Sequence, residues 1–91
     1  MYVVNANGTS RWSAPSGYSS WLSYWKAHKG DVTYCKANGC LGKDLVGAHV
    51  RKAYSLTDQH LYIVPLCSNC NKRTDIFEVP DNALLPVPSN L

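Results

Sequence analysis

The chain has 91 residues, of which 45% are hydrophobic and 16% are charged, and its formal net charge is +3. This composition excludes a disordered chain, and no apolar run approaches the roughly 20 residues of a membrane span. We expect one domain over residues 1–91, with a core so thin that a metal ion or disulfides would reinforce it. The first residues do not form a secretory signal, so we also expect a cytoplasmic location.

The N-terminal part, residues 1–33, is predicted to contain one short strand and one helix. Residues 2–4 suit the strand, and a loop rich in Asn, Gly, Ser and Pro follows over residues 5–17. Helical periodicity begins after Ser19 or Ser20 and ends at Lys29, because Ser is a favourable N-cap and a glycine follows the last turn.

Three aromatic residues of this helix admit two interpretations. Trp21 and Trp25 share a helix face with Leu22, which is typical of a stripe that packs on the core. The functional alternative is a base-stacking platform formed by Trp21, Tyr24 and Trp25. Core packing is the favoured interpretation.

The central part, residues 34–77, reads as a hairpin between two cysteine pairs. Apolar strands are predicted near residues 45–50 and 61–66, with a polar loop over 51–60. Pro65 cannot donate a ladder hydrogen bond, so the second strand should be an edge strand or bulged there.

The chain after the second cysteine pair is predicted to be helical to about Phe77. The tail over residues 78–91 contains three prolines, which exclude a helix, yet it is apolar. We expect this tail to be extended and to lie over the surface.

The four cysteines predict a structural zinc site. Their spacing is Cys35-x4-Cys40, an insert of 26 residues, then Cys67-x2-Cys70. Two close pairs separated by a hairpin suit tetrahedral zinc, and the second pair at a helix start indicates an α+β fold of the treble-clef type. The alternatives are disulfides, which a reducing compartment disfavours, and a Cys67–Cys70 redox motif, which leaves the first pair unused.

The motifs Gly47-Ala48-His49-Val50 and Tyr62-Ile-Val-Pro-Leu-Cys67-Ser-Asn-Cys70-Asn71 resemble the HNH nucleases of the ββα-metal class. The resemblance covers residues 35–77. It implies that His49 is the general base that activates water against a phosphodiester. It also implies that Asn71 binds a divalent cation, Mg²⁺ or Mn²⁺, to which Asp75 would contribute a carboxylate one helical turn later.

Two positions depart from the family's pattern. Many members have an Asp before the catalytic His, where this chain has Ala48. The loop Asn that orients the His has no evident counterpart, so Asp58, Gln59 or His60 would have to replace it. Each proposed site residue also has a structural alternative: His49 packing in the hairpin or bonded to a thiolate, Asn71 capping the helix, and Asp75 simply solvated.

Two basic pairs flank the predicted site: Arg51 with Lys52, and Lys72 with Arg73. They would contact phosphates without reading sequence, or they are ordinary surface charge. Four thiolates and one Zn²⁺ together carry −2 and lower the total to about +1, so net charge alone does not indicate nucleic acid.

Two functions follow from the sequence. The first, which the sequence favours, is a metal-dependent endonuclease with little sequence specificity, with DNA favoured over RNA as substrate. The second is a non-catalytic zinc module that binds nucleic acid or a host protein, of a phage or mobile-element type. Neither requires a membrane, and the oligomeric state is not predicted.

Overall fold

The computed structural model describes residues 1–6, 13–58 and 60–88, which form an α+β protein around one antiparallel sheet. The five strands are β1 (Tyr2–Asn5), β2 (Leu45–Lys52), β3 (Tyr62–Cys67), β4 (Phe77–Glu78) and β5 (Leu85–Pro86). The helices are α1 (Trp21–Lys29) and α2 (Ser68–Asn71), and a 3₁₀ turn covers Asp81–Ala83. The strand order is β4-β1-β2-β3-β5.

The register of the central hairpin divides its residues between two faces, because directly opposite residues of antiparallel strands share a face. His49 pairs with Ile63 and Gly47 pairs with Pro65, and we call the side that carries them the helix face. The other side, the inner face, carries the fully buried residues Val3, Val50, Val64 and Leu66.

Helix α1 packs on the helix face, and its N-terminus is a capping box. The Ser23 N–H donates to Ser20 Oγ, and the Ser20 N–H donates to Ser23 Oγ, each at 3.1 Å. Gly30 ends the helix with a φ of 99°. The predicted helix is therefore confirmed, as is the core position of Trp21 and Trp25, which are both buried.

The segment that carries the first cysteine pair joins two separate strands of the sheet. The Lys36 N–H donates to the Pro65 carbonyl of β3 (2.9 Å), and the Asn38 N–H donates to the Glu78 carbonyl of β4 (2.8 Å). In a flat sheet, β3 and β4 would lie three spacings of about 4.8 Å apart. Two residues of chain span at most about 7 Å, and with the two hydrogen bonds the bridge reaches about 13 Å at most. This is shorter than the separation in a flat sheet, so the sheet is curled.

Pro65 lies in a strand with neighbours on both sides, rather than in a simple edge strand or a bulge. The register of β2 and β3 runs without interruption past Pro65, and β5 pairs with Tyr62 and Ile63 at the other end of β3. The Pro65 carbonyl accepts from the Lys36 N–H, so it points away from β2. The nitrogen and the carbonyl of one strand residue point to the same side, so the missing N–H of Pro65 removes no bond to β2.

The predicted second helix is wrong in length. Helix α2 ends at Asn71, and Phe77 begins β4 instead of ending a helix. The Asn5 side chain explains part of this early end, since its Nδ2 donates to the carbonyls of Cys70 and Arg73, both at 2.9 Å. The Arg73 carbonyl is thus bound to β1 and not to a continuing helix.

The predicted surface tail is wrong in part. Val79 and Leu84 are buried, and Leu85–Pro86 form β5. The Trp25 Nε1–H donates to the Ala83 carbonyl at 2.8 Å, which fastens this part of the chain to α1. Apolar side chains therefore draw the described part of the tail into the core. The last three residues lie outside the described ranges.

Candidate metal centre and surrounding residues

The four cysteines come together as the sequence predicts. Their Sγ atoms all lie within 4.8 Å of one another, and the Cys40 and Cys67 sulfurs are 3.7 Å apart. A tetrahedral zinc ion with Zn–S bonds of about 2.3 Å separates its sulfurs by roughly 3.8 Å. These cysteines can therefore hold a metal ion such as zinc.

The first pair is positioned by a tight backbone turn. The Cys35 N–H donates to the Gly42 carbonyl (2.7 Å), and the Cys40 N–H donates to the Ala37 carbonyl (3.0 Å). Gly39 has a φ of 79°, a conformation that side chains other than glycine rarely adopt. These features bring Cys35 and Cys40 to the same side of one turn.

The second pair is positioned by the start of α2. Cys67 ends β3 and is also the N-cap of the helix, where its Sγ accepts from the Cys70 N–H at 3.5 Å. Gly42 packs closely against it, because a Cβ at Gly42 would lie 2.6 Å from the Cys67 Cβ. The two turns therefore meet with no space for another side chain between them.

The electrostatics of the cluster favour a cation at its centre. Burial raises the pKa of Cys35, and burial together with the neighbouring thiols raises the pKa of Cys70. Hydrogen bonding from the Gly42 backbone lowers the pKa of Cys40. Buried thiols with raised pKa values bind as thiolates when a bound metal ion stabilises the negative charge.

His49 lies on the helix face, where its side chain is buried and 6% exposed. Its ring packs nearly perpendicular to the Trp21 indole, with ring centroids 4.9 Å apart and planes at 84°. Burial lowers the pKa of His49, because the charged imidazolium would lose its hydration. A neutral imidazole packed beneath Trp21 agrees with the structural alternative for this residue.

Asn71 and Asp75 do not share a helix face, since α2 ends at Asn71. Asp75 instead accepts two hydrogen bonds from the Arg73 guanidinium, at 2.9 and 2.5 Å. The carbonyls at the end of α2 bind Asn5, which is opposite Val50 and so belongs to the inner face. The His49 ring and the end of α2 therefore lie on opposite faces of the sheet.

The four basic residues predicted to bind phosphate differ in their surroundings. Lys52 forms an ion pair with Asp58 (3.0 Å), and Arg73 forms one with Asp75. Arg51 and Lys72 are exposed. Half of the predicted phosphate contacts are therefore already engaged by carboxylates of the chain itself.

Asp58 organises the loop between β2 and β3. It accepts from the Tyr62 hydroxyl (2.6 Å), the Lys52 ammonium and the His60 backbone N–H (3.0 Å). The hydrogen bonds from Tyr62 and Lys52 hold the pKa of Asp58 well below its usual range. Of the residues considered as a partner for His49, Asp58 and His60 belong to this loop network, and Gln59 lies outside the described residues.

Four further lysines, which the sequence analysis did not consider for phosphate binding, lie on two segments that contact each other through Lys36 and Trp25. They are Lys26, Lys29, Lys36 and Lys43, which come from α1 and from the segment around the first cysteine pair. Lys36 lies over the Trp25 ring and Lys43 over the Tyr34 ring. Each lysine is about ten residues away in sequence from the ring that it contacts, so the sequence gives no signal for these contacts.

Comparisons with models of protein families, with curated proteins and with solved structures find no match for this chain. The resemblance to HNH nucleases therefore stays a prediction. Among the described residues, no helix has the length and apolar character needed to cross a membrane.

Proposed function

We propose that this chain is a non-catalytic, zinc-stabilised module that binds nucleic acid. The observation that carries the proposal is the cysteine cluster, whose sulfurs lie within 4.8 Å of one another beside the segment that joins β3 to β4. Zinc at this position would hold the curled sheet closed. In a domain this small, such a metal contributes several kcal/mol, on the order of a whole domain's stability.

The surroundings of His49 favour binding over hydrolysis. A general base must reach the water from which it takes a proton, whereas this imidazole is buried against Trp21. Asn71 and Asp75 would have to bind a cation from the opposite side of the sheet, and Asp75 is already paired with Arg73. The Ala48 position supplies no ligand oxygen in place of the family's acidic residue.

Nucleic acid is the proposed partner because basic side chains outnumber acidic ones and only some of the basic side chains are paired with carboxylates. Nine Lys and Arg residues face six Asp and Glu residues, and several of those acids are bound internally. Asp58, Asp75 and Asp44 accept from Lys52, Arg73 and Ser68 respectively. The remaining exposed lysines are available to replace counterions on a phosphate backbone.

The test combines zinc analysis with a cleavage assay on the whole chain. We expect one zinc ion per chain after dialysis, and binding of a labelled oligonucleotide. We expect no nicking of supercoiled plasmid in Mg²⁺ or Mn²⁺ above an EDTA control. Nicking that requires the cation and disappears in a zinc-loaded His49→Gln variant would establish the nuclease instead. A folded protein that retains no metal would refute the zinc assignment.

A further inference from the structure

Lys26, Lys29, Lys36 and Lys43, together with Tyr34, belong to two segments that meet at Trp25, and we call these five residues the lysine strip. The Lys36 ammonium lies 5.9 Å from the centre of the Trp25 ring, and Lys26 follows Trp25 in α1. Lys29 follows Trp25 by one helical turn.

Tyr34 and Lys43, at the other end of the strip, are brought together by the turn that contains the first cysteine pair. The Cys35 N–H binds the Gly42 carbonyl at 2.7 Å, so the residues on either side of these two positions are neighbours. The Lys43 ammonium accordingly lies 5.5 Å from the centre of the Tyr34 ring. The strip therefore combines lysines of the last turn of α1 with lysines around the first cysteine pair.

The charges of the strip are not neutralised within the described part of the chain. No carboxylate of residues 1–6, 13–58 or 60–88 lies within ion-pair distance of its four lysines. Asp44, next to Lys43, is bound to the Ser68 hydroxyl and backbone N–H. Asp31 is exposed in the same part of the chain without pairing with these lysines. By contrast, Lys52 and Arg73 on the surface predicted from sequence are both paired.

The strip also offers an exposed aromatic ring beside its charges. Tyr34 is 45% exposed, and Lys43 lies over its ring. Surfaces for single-stranded nucleic acid combine cations that follow the phosphates with aromatic rings on which bases stack. In a duplex the bases are already stacked on one another, so an exposed tyrosine adds little to duplex binding.

We propose that the lysine strip binds single-stranded nucleic acid, with the lysines contacting phosphates and Tyr34 stacking on a base. This inference rests on the proposed function, because it specifies the surface and the form of the nucleic acid. The strip contains none of the basic residues that flank His49 and Asn71. The strip also borders the cysteine cluster, so retention of the metal should be required for binding.

The experiment measures binding of a fluorescein-labelled oligodeoxythymidylate of about 15 nucleotides by anisotropy over a series of salt concentrations. The test variant is Lys29→Gln with Lys43→Gln. The matched variant is Arg51→Gln with Lys72→Gln, which removes the same charge from the two basic pairs predicted from the sequence. Zinc content and thermal unfolding are measured for each protein, so that only folded, metal-loaded chains are compared.

We expect the Lys29 and Lys43 double variant to lose roughly tenfold or more in affinity and to show a salt slope smaller by about 1.4. Tyr34→Leu should lose about fivefold or more with its salt slope unchanged, because stacking releases no counterions. The Arg51 and Lys72 double variant should retain most of its affinity.

Equal losses in the two double variants, or a larger loss at Arg51 and Lys72, would refute the strip while leaving nucleic-acid binding in place. A duplex competitor that displaces the labelled strand as well as a single strand does would refute the preference for single strands. Absence of binding by the folded, zinc-loaded wild type would refute both the strip and the proposed function.

Discussion

The backbone of Trp21 occupies the position that a side chain at Gly47 would need. A Cβ at Gly47 would lie 2.6 Å from the Trp21 carbonyl carbon and 2.5 Å from the Leu22 nitrogen. Both contacts are with backbone atoms, which cannot rotate away as a side chain could. Glycine in the middle of β2 therefore sets the distance between α1 and the sheet.

We expect Gly47→Ala to destabilise the protein by about 1–3 kcal/mol, because α1 must move away from the sheet and loosen the packing of Trp21 and Trp25. Urea unfolding at constant free zinc measures the change. Val46→Ala, at the adjacent and more exposed position, should cost about 0.5 kcal/mol or less. A Gly47→Ala protein as stable as the wild type would show that α1 does not rest on β2 as described.

We expect Gly42→Ala to weaken zinc binding by about tenfold or more, as changes that displace a metal ligand do. The added Cβ would lie 2.6 Å from the Cys67 Cβ and 3.0 Å from its Sγ, so the cysteine must shift. Competition with a chromophoric chelator measures the affinity. Leu41→Ala is the matched control, because Leu41 is adjacent and 75% exposed, and it should bind zinc as the wild type does.

Stability should depend on pH through His49. Burial lowers the pKa of His49 in the folded protein, so the unfolded chain takes up a proton first as the pH falls below about 6.5. The contribution of His49 to stability is therefore complete above that pH and is lost below it, with a slope of at most about 1.4 kcal/mol per pH unit. The zinc-bound thiolates, which are protonated in the unfolded chain, add a slope of their own.

The pH effect is measured by urea unfolding at about pH 7.5 and about pH 5.5 with free zinc held constant. His49→Phe keeps an aromatic ring against Trp21 and should reduce the slope by the contribution of His49, while the contribution of the zinc thiolates remains. His28→Gln, at an exposed position of α1, should preserve the whole slope. The same slope in the His49→Phe and wild-type proteins would contradict the assignment to His49.

Asp58→Asn should loosen the loop between β2 and β3, because the carboxylate binds both Lys52 and the Tyr62 hydroxyl. We expect faster hydrogen exchange at the His60 amide, which donates to Asp58 Oδ1. NMR exchange rates provide the measurement. Asp31→Asn removes a charge outside this network and should leave the His60 amide unchanged.

Local patterns predicted the elements that depend on local interactions. Ser20 and Gly30 delimit α1 because capping and left-handed glycine are properties of a few neighbouring residues. The spacing of the four cysteines likewise predicted that they meet. The length of α2 was not predictable in this way, since the Asn5 side chain that binds Arg73 comes from the other end of the chain.

The candidate site shows the same division between local and distant interactions. The sequence places His49 on a strand, but the indole that covers it belongs to α1. The ion pairs that engage Lys52 and Arg73 depend on side-chain geometry, which residue type does not specify. The lysine strip combines residues from two segments that become neighbours only through the Cys35–Gly42 hydrogen bond and the packing of Trp25.

The position of β1 in the sheet has a consequence for how the chain folds. Val3 pairs with Lys52 on one side and with Phe77 on the other, so the first strand has both of its partners far along the sequence. During synthesis β1 can pair with both β2 and β4 only after nearly all of the described chain has left the ribosome. Such non-local pairing slows folding. The two cysteine pairs can therefore come together before β1 inserts between β2 and β4.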